Sequence, residues 1–406
     1  MKQTNKLRYY HWRGTNSAGR KVSGVIVGFQ EQEAREKLLE QRIQVKKIKR
    51  RNPSTFARMK NKMEATDVTA VTRQLATMIQ SGVPVVQSFK LIAESHQKSE
   101  VRATLSQINK QVEAGASLSK ALRTSSPLFD NFYCDLVATG EETGHLGQIF
   151  ERLATYREKH EAMRKKVIKA MIYPGMVTLT AIIVTVMMLV FVIPQFADIF
   201  QSFGAQLPWF TRQVIKASNL LTSNGLLISL SLIAAIAGFA VSYKKSPRLQ
   251  LAVSRWSLRF PILGTVFMKA TIARFARTLA TTFTAGIPLL SGLQSAGKTA
   301  GNLHIQRAVE QAHTAAAAGM PLYLSLRQCN EFPELMLQMV MIGEESGSLD
   351  DMLNKIANLY EGDVDNTVDN LGKIIEPLII IILGGLIGGL LVAMYMPIFT
   401  LMSVIG

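Results

Sequence analysis

Apolar positions follow three patterns along this chain. In residues 66–170 and 244–373 they recur three and four apart, as Leu75, Met78 and Ile79 do, which predicts amphipathic helices. Residues 171–196, 225–243 and 377–403 are instead uncharged and almost continuously apolar, apart from Asp198 just beyond the first. A helix needs roughly 20 such residues to cross a hydrocarbon layer of about 30 Å, so these three runs predict transmembrane helices. Residues 1–50 alternate. RYYHWR and KVSGVIV read as short strands around GTNSAG, residues 31–41 as a charged helix and 43–48 as a third strand. The expected fold class is therefore mainly α: a polytopic membrane protein with a small N-terminal α+β domain. No long apolar run precedes residue 171, so no cleaved signal peptide is expected.

The helical part is written twice. RQLATMIQSGVPVVQSFKLIAE at 73–94 matches RTLATTFTAGIPLLSGLQSAGK at 277–298, an offset of 204. Gly115, Leu118, Leu122 and Arg123 match Gly319, Leu322, Leu326 and Arg327 at that offset. GEETGHL (140–146) matches GEESGSL (343–349) at 203, as Pro174 matches Pro377 and Pro194 matches Pro397. Each copy includes a helical module, at 66–170 and 244–373, and the apolar helix that leaves it. Gly82 and Gly286 suit helix C-caps, and Pro84 and Pro288 suit the first turn of the next helix. About six helices are expected in each module.

Charge orients this arrangement. The chain carries 46 Lys and Arg against 29 Asp and Glu, a net +17. Residues 46–62, which run into the linker expected at 51–65, hold eight basic residues and no acidic one. Such a segment seeks an anionic surface, here membrane lipid. Nucleic acid is not expected, because Phe56 alone could stack on a base. Lys and Arg crowd the stretch before 171 (Arg164, Lys165, Lys166, Lys169) and the one after 243 (Lys244, Lys245, Arg248). Residues 197–224 carry only Arg212 and Lys216. By the positive-inside rule both modules face the cytoplasm, 197–224 lies outside, and three crossings leave the C-terminus outside. Cys134 and Cys329 then sit where thiols stay reduced, and they read as packing residues.

Chemistry-bearing motifs are sparse. GLQSAGKT, from Gly292 to Thr299, fits a phosphate loop, but it comes after a helix–Gly–Pro–helix segment rather than a buried strand, so it reads as a chance match. No histidine pairs at metal-ligand spacing and no cofactor is expected. Glu141 and Glu142, and their counterparts Glu344 and Glu345, stand out because both copies carry them. They could bind a basic partner or a divalent cation. They could also belong to a turn in which Gly140 or Gly343 ends a helix and Thr143 or Ser346 caps the next. Gly384, Gly385, Gly388 and Gly389 make overlapping G-x-x-x-G spacings, which allow close helix packing in a membrane.

Two helical modules, three spans and twin GEExG turns resemble the PilC/GspF family of inner-membrane platform proteins. KVIKAMIYPGMV (166–177), IPQFADIFQSFGAQLPWFT (193–211) and MYMPIF (394–399) carry the likeness. RQLATMIQSGVPVVQSF, GEESGSLDDML and VDNTVDNL look closer to the type IV pilus branch than to the type II secretion branch. The resemblance implies a non-enzymatic adaptor in the bacterial inner membrane. It would oligomerise, meet other inner-membrane alignment proteins, and couple hexameric cytoplasmic assembly and retraction ATPases to pilin subunits.

Overall fold

The computed structural model describes residues 8–17, 19–28, 31–40, 42–50, 61–196, 208–260 and 263–405. The basic linker over 51–60 and the segment 197–207 lie outside them.

The first domain holds β1 (Arg8–Thr15), β2 (Lys21–Gly28), α1 (Glu31–Glu40) and β3 (Gln44–Arg50). β1 is the central strand, antiparallel to both others in the order β2-β1-β3. Period-two alternation puts Tyr10 and, from β3, Ile48 on one face, where Ala34 and Leu38 of α1 bury them. Trp12 lies opposite Gly24, where an added Cβ would crowd the indole at 3.1 Å.

The first module comprises α2 (Ala65–Gln80), α3 (Val85–Ser95), α4 (Ser99–Glu113), α5 (Leu118–Ser125), α6 (Asn131–Thr143) and α7, which begins at Leu146. Val68, Val71 and Leu75 of α2 meet Phe89, Ile92, Leu105, Ile108, Leu122, Tyr133 and Phe150 in one core, with Met78 and Ile79 packed at its edge. Gly82 takes the left-handed conformation (φ 84°) that closes α2. Pro84 is the residue just before α3 rather than within its first turn, so the expected proline position moves by one.

After the second apolar helix, α8 (Trp209–Lys245), and a basic helix, α9 (Pro247–Arg259), the pattern repeats. α10 (Leu263–Thr284), α11 (Leu289–Thr299), α12 (Leu303–Ala317), α13 (Leu322–Arg327), α14 (Glu334–Ser346) and α15 (Leu349–Ile405) form the second module. Gly286 (φ 81°) and Pro288 do there what Gly82 and Pro84 do in the first. Among the described residues each copy therefore has six helices, and the sixth runs on into an apolar segment. Helical structure continues without interruption from Leu146 to Phe196, so the compositional break at 170/171 is not a break in the helix.

The internal contacts divide the chain into two units. One holds the N-terminal domain, the first module and most of the second (1–162, 274–300, 308–356). The other holds 163–273, 301–307 and 357–406. Among the described residues three helices, Leu146–Phe196, Trp209–Lys245 and Leu349–Met396, are long and apolar enough to cross a membrane, and their apolar stretches are almost wholly exposed.

Candidate functional site

The twin GEExG turns resolve into three separate jobs. Gly140 does not end a helix: it lies inside α6, where an added Cβ would sit 2.9 Å from Cγ1 of Ile149 on α7. Gly343 on α14 would meet the Cα of Leu349 at 2.9 Å. Both glycines therefore let the sixth helix cross close over the fifth. The helices end at the second glycine of each motif, Gly144 (φ 75°) and Gly347 (φ 70°). Thr143 and Ser346 do not cap the next helix, because their hydroxyls donate backward to the Thr139 and Ile342 carbonyls. The capping expectation is corrected on both points.

The first glutamate of each pair is a capping anion for a different helix. Glu141 accepts the N–H groups of Leu118 and Ser119 at the start of α5, at 2.5 and 2.9 Å. Glu344 accepts those of Leu322 and Tyr323 at the start of α13, at 2.5 and 2.9 Å. The first N–H groups of a helix have no partner within it and carry the positive end of its dipole, so a carboxylate there is favoured. In neither copy does the residue before the helix, Ser117 or Pro321, supply a side-chain cap of its own. The second glutamates, Glu142 and Glu345, are exposed. Glu345 edges an open hollow of about 470 Å³ that also takes in Met320, Pro321 and Tyr323.

Arg73 on α2 clamps α7. Its guanidinium donates to Glu151 at 2.6 and 2.7 Å and to Glu158 at 2.7 and 2.6 Å. Those bonds hold the Glu158 carboxyl below its ordinary pKa and raise the arginine above its own. The repeat places Arg277 on Asn354 at 2.9 Å, the counterpart of Arg73 on Glu151. The two copies also touch each other. Arg152 donates to the Thr284 carbonyl at 2.8 Å, Tyr156 and Thr278 share a hydrogen bond of 3.2 Å, and Ile287 joins the first module's core.

The apolar helices hold features that the sequence did not announce. Residues Met188–Val192 of α7 form a π-turn, in which Ile193 N–H reaches back five residues to the Met188 carbonyl. The next bond in that register would join residue 194 to the Leu189 carbonyl, but Pro194 has no N–H. The hydroxyl of fully buried Ser218 on α8 donates to Leu189 instead. Thr211, also buried, donates to the Ala393 carbonyl of α15 at 2.8 Å. No apolarity scale would single out either hydroxyl. Of the glycine stripe, Gly384, Gly385 and Gly388 have open space where a side chain would begin, and Gly389 faces the Phe210 ring at 3.6 Å. Where these helices become charged, Lys166 of α7 bonds Asp365 (3.3 Å) and Asp369 (2.9 Å) of α15, and Lys269 of α10 bonds Asp363 at 2.7 Å. Val266, Val364 and Val368 are buried beneath them.

The phosphate-loop match is a helix. Gly292 to Thr299 lies in α11, with Gly292 and Gly297 buried and Thr299 bonded to Thr278 at 2.9 Å. Its N–H groups serve the helix ladder and cannot ring a phosphate. Among the described residues no three His, Cys, Asp or Glu side chains gather as a metal would require. Cys134 is buried, which pushes its thiol up to about 11, so it is an inert packing group; Cys329 donates to the Ala308 carbonyl at 3.1 Å.

A duplicated six-helix module, with each copy running on into an apolar helix, defines a membrane-anchored scaffold. Comparison with known proteins gives that class a family. The model for Type II secretion system protein F matches twice, at 71–194 and 275–397, and that for its N-terminal domain matches 8–49. The chain belongs to the Type II secretion system protein F family. The two matches carry the offsets of the internal repeat and both reach its paired prolines. Type IV pilus assembly protein TapC of Aeromonas hydrophila is 43% identical over 401 residues, covering 99% of this chain and 97% of that protein. Type IV pilus assembly protein PilC of Pseudomonas aeruginosa is 43% identical over 345 residues, 85% of this chain and 92% of that one. Type II secretion system protein F of Vibrio cholerae is 31% identical over 398 residues, covering 96% and 97%.

Proposed function

We propose that this chain is the inner-membrane platform of type IV pilus assembly. It is an adaptor that performs no catalysis of its own. The observation that carries the reading is the 43% identity, over nearly the whole of both chains, to a protein named for pilus assembly, against 31% for one named for type II secretion. Both modules face the cytoplasm and the C-terminus lies outside, a reading that Lys and Arg beside the apolar helices support. The modules offer a surface to hexameric assembly and retraction ATPases. The three spans can meet the apolar helix of a pilin subunit, alignment proteins of the inner membrane, or a second copy through Gly384, Gly385 and Gly388.

The exposed acids Glu142 and Glu345 are candidates for contact with the motor, since Glu141 and Glu344 are committed to capping. Deleting the gene should abolish surface fibres and twitching while leaving exoprotein secretion intact. Loss of secretion with fibres retained would overturn the pilus reading in favour of the secretion one. Changing Glu142 and Glu345 together to Lys should weaken recovery of a pilus ATPase with the full chain. Undiminished recovery would remove these two residues from the docking surface.

A further inference from the structure

Helix α9 begins two residues after α8 ends at Lys245, so if α8 crosses the bilayer, the start of α9 is at headgroup level. Ser246 between them caps α9 through the Leu249 N–H, and Gln250 donates to the Tyr243 carbonyl at 2.8 Å, which fixes the bend. The inner side of α9 is also tied down, because Asn302 donates to the Ser254 carbonyl at 3.0 Å. Its outer side is left open. Arg248, Arg255 and Arg259, spaced seven and four apart, form one exposed stripe. Beside the stripe stand Trp256, 70% exposed, and Phe260, 46% exposed, packed edge to face at 5.8 Å.

No acidic residue occurs between Asp198 and Glu310, whereas Lys244 and Lys245 adjoin the arginine stripe. Among the described residues no carboxylate pairs with any of the three arginines. A cationic stripe edged by tryptophan, running on from a membrane span, has the make-up of a helix that lies in the bilayer interface. A second copy would meet it with the same positive charge, which disfavours a self-contact. We infer that α9 is an interfacial helix whose arginine stripe binds the headgroups of anionic phospholipid, with Trp256 and Phe260 inserted at the acyl boundary.

The test reconstitutes the full chain, carrying Trp12→Phe and Trp209→Phe so that Trp256 reports alone, into nanodiscs of mixed phosphatidylcholine and phosphatidylglycerol. Either lipid is supplied brominated in turn, and the ratio of the two quenching efficiencies gives the lipid composition around Trp256. Phosphatidylglycerol should be enriched there over its bulk share. Each arginine should contribute up to about fivefold to that enrichment. Replacing all three arginines with Gln should return the ratio to the bulk value, and replacing them with Lys should preserve it. Native mass spectrometry of the chain with its tryptophans intact should show phosphatidylglycerol retained, and less of it in the Gln variant. Equal quenching by both lipids, or enrichment indifferent to the arginines, would overturn the inference. So would the lack of quenching by either lipid, which would mean that protein covers the face.

Discussion

Glu141 and Glu344 differ from their neighbours Glu142 and Glu345 by one step along a helix, and that step decides what each carboxylate can reach. The duplication marks all four residues equally in the sequence. Only the crossing of α5 by α6, and of α13 by α14, separates capping anions from exposed ones, and that crossing is set by residues some twenty positions away. Glu141→Ala or Glu344→Ala should therefore destabilise the protein by about 1–2 kcal/mol, the worth of a charged hydrogen bond at a helix start. Glu142→Ala and Glu345→Ala should stay within about 0.5 kcal/mol of the parent. Thermal unfolding in detergent checks this, and equal losses at both members of a pair would refute the capping role. The Arg73 clamp adds a pH dependence. With the folded Glu158 pKa depressed, the folded state binds fewer protons than the unfolded one just below the ordinary glutamate value. The stabilisation is thus present above about pH 4.3 and is lost as pH falls from there through the folded value. Because both side chains are more than one-third exposed or close to it, screening limits the effect to about 1 kcal/mol. The gap in melting temperature between parent and Arg73→Gln should close on acidification, and a gap that stays constant with pH would sink the assignment.

Element boundaries were legible wherever backbone chemistry is local. Gly82 and Gly286 announce the ends of α2 and α10, because a left-handed residue closes a helix whatever surrounds it. The three apolar runs were equally plain. What composition did not give is the continuity of α7, since a helix passes from charged to apolar residues without changing its hydrogen bonds. Nor did it give the π-turn at Met188–Val192, which depends on a partner in another helix. Pro194 removes one donor and Ser218 supplies one, so the two form a thermodynamic pair although they lie on different helices. Ser218→Ala should leave the part-buried Leu189 carbonyl without this partner, at a cost of about 1–3 kcal/mol. In a Pro194→Ala background the new N–H can serve that carbonyl, and the same serine change should cost less than half as much. A double-mutant cycle read by unfolding in detergent measures the coupling, and strict additivity would show that the hydroxyl does not stand in for the proline.

At the scale of the whole molecule, the contacts between the two copies constrain topology more firmly than charge counting does. Arg152 reaches the Thr284 carbonyl, Tyr156 meets Thr278, and Ile287 packs into the first module's core. Surfaces joined this way cannot be on opposite sides of a bilayer, so the chain must cross an even number of times between them. Among the described residues two apolar helices occur in that interval, Leu146–Phe196 and Trp209–Lys245, an even number as required. The repeat thus explains why α8 exists. On the proposed orientation the helix leaving the first module carries the chain across the membrane and α8 carries it back, so that the second module can pack against the first. The positive-inside rule only adds which side the modules share. In a variant lacking Cys134 and Cys329, cysteines placed at the exposed positions Lys110 and Glu310 should both be protected from a membrane-impermeant maleimide in intact cells, and both should react after lysis. A tag on the C-terminus should show the reverse protection in spheroplasts. Labelling of one module and not the other would be incompatible with the contacts between them, and so with the reading of the repeat as one packed body; labelling of both in intact cells would keep that body and reverse its orientation.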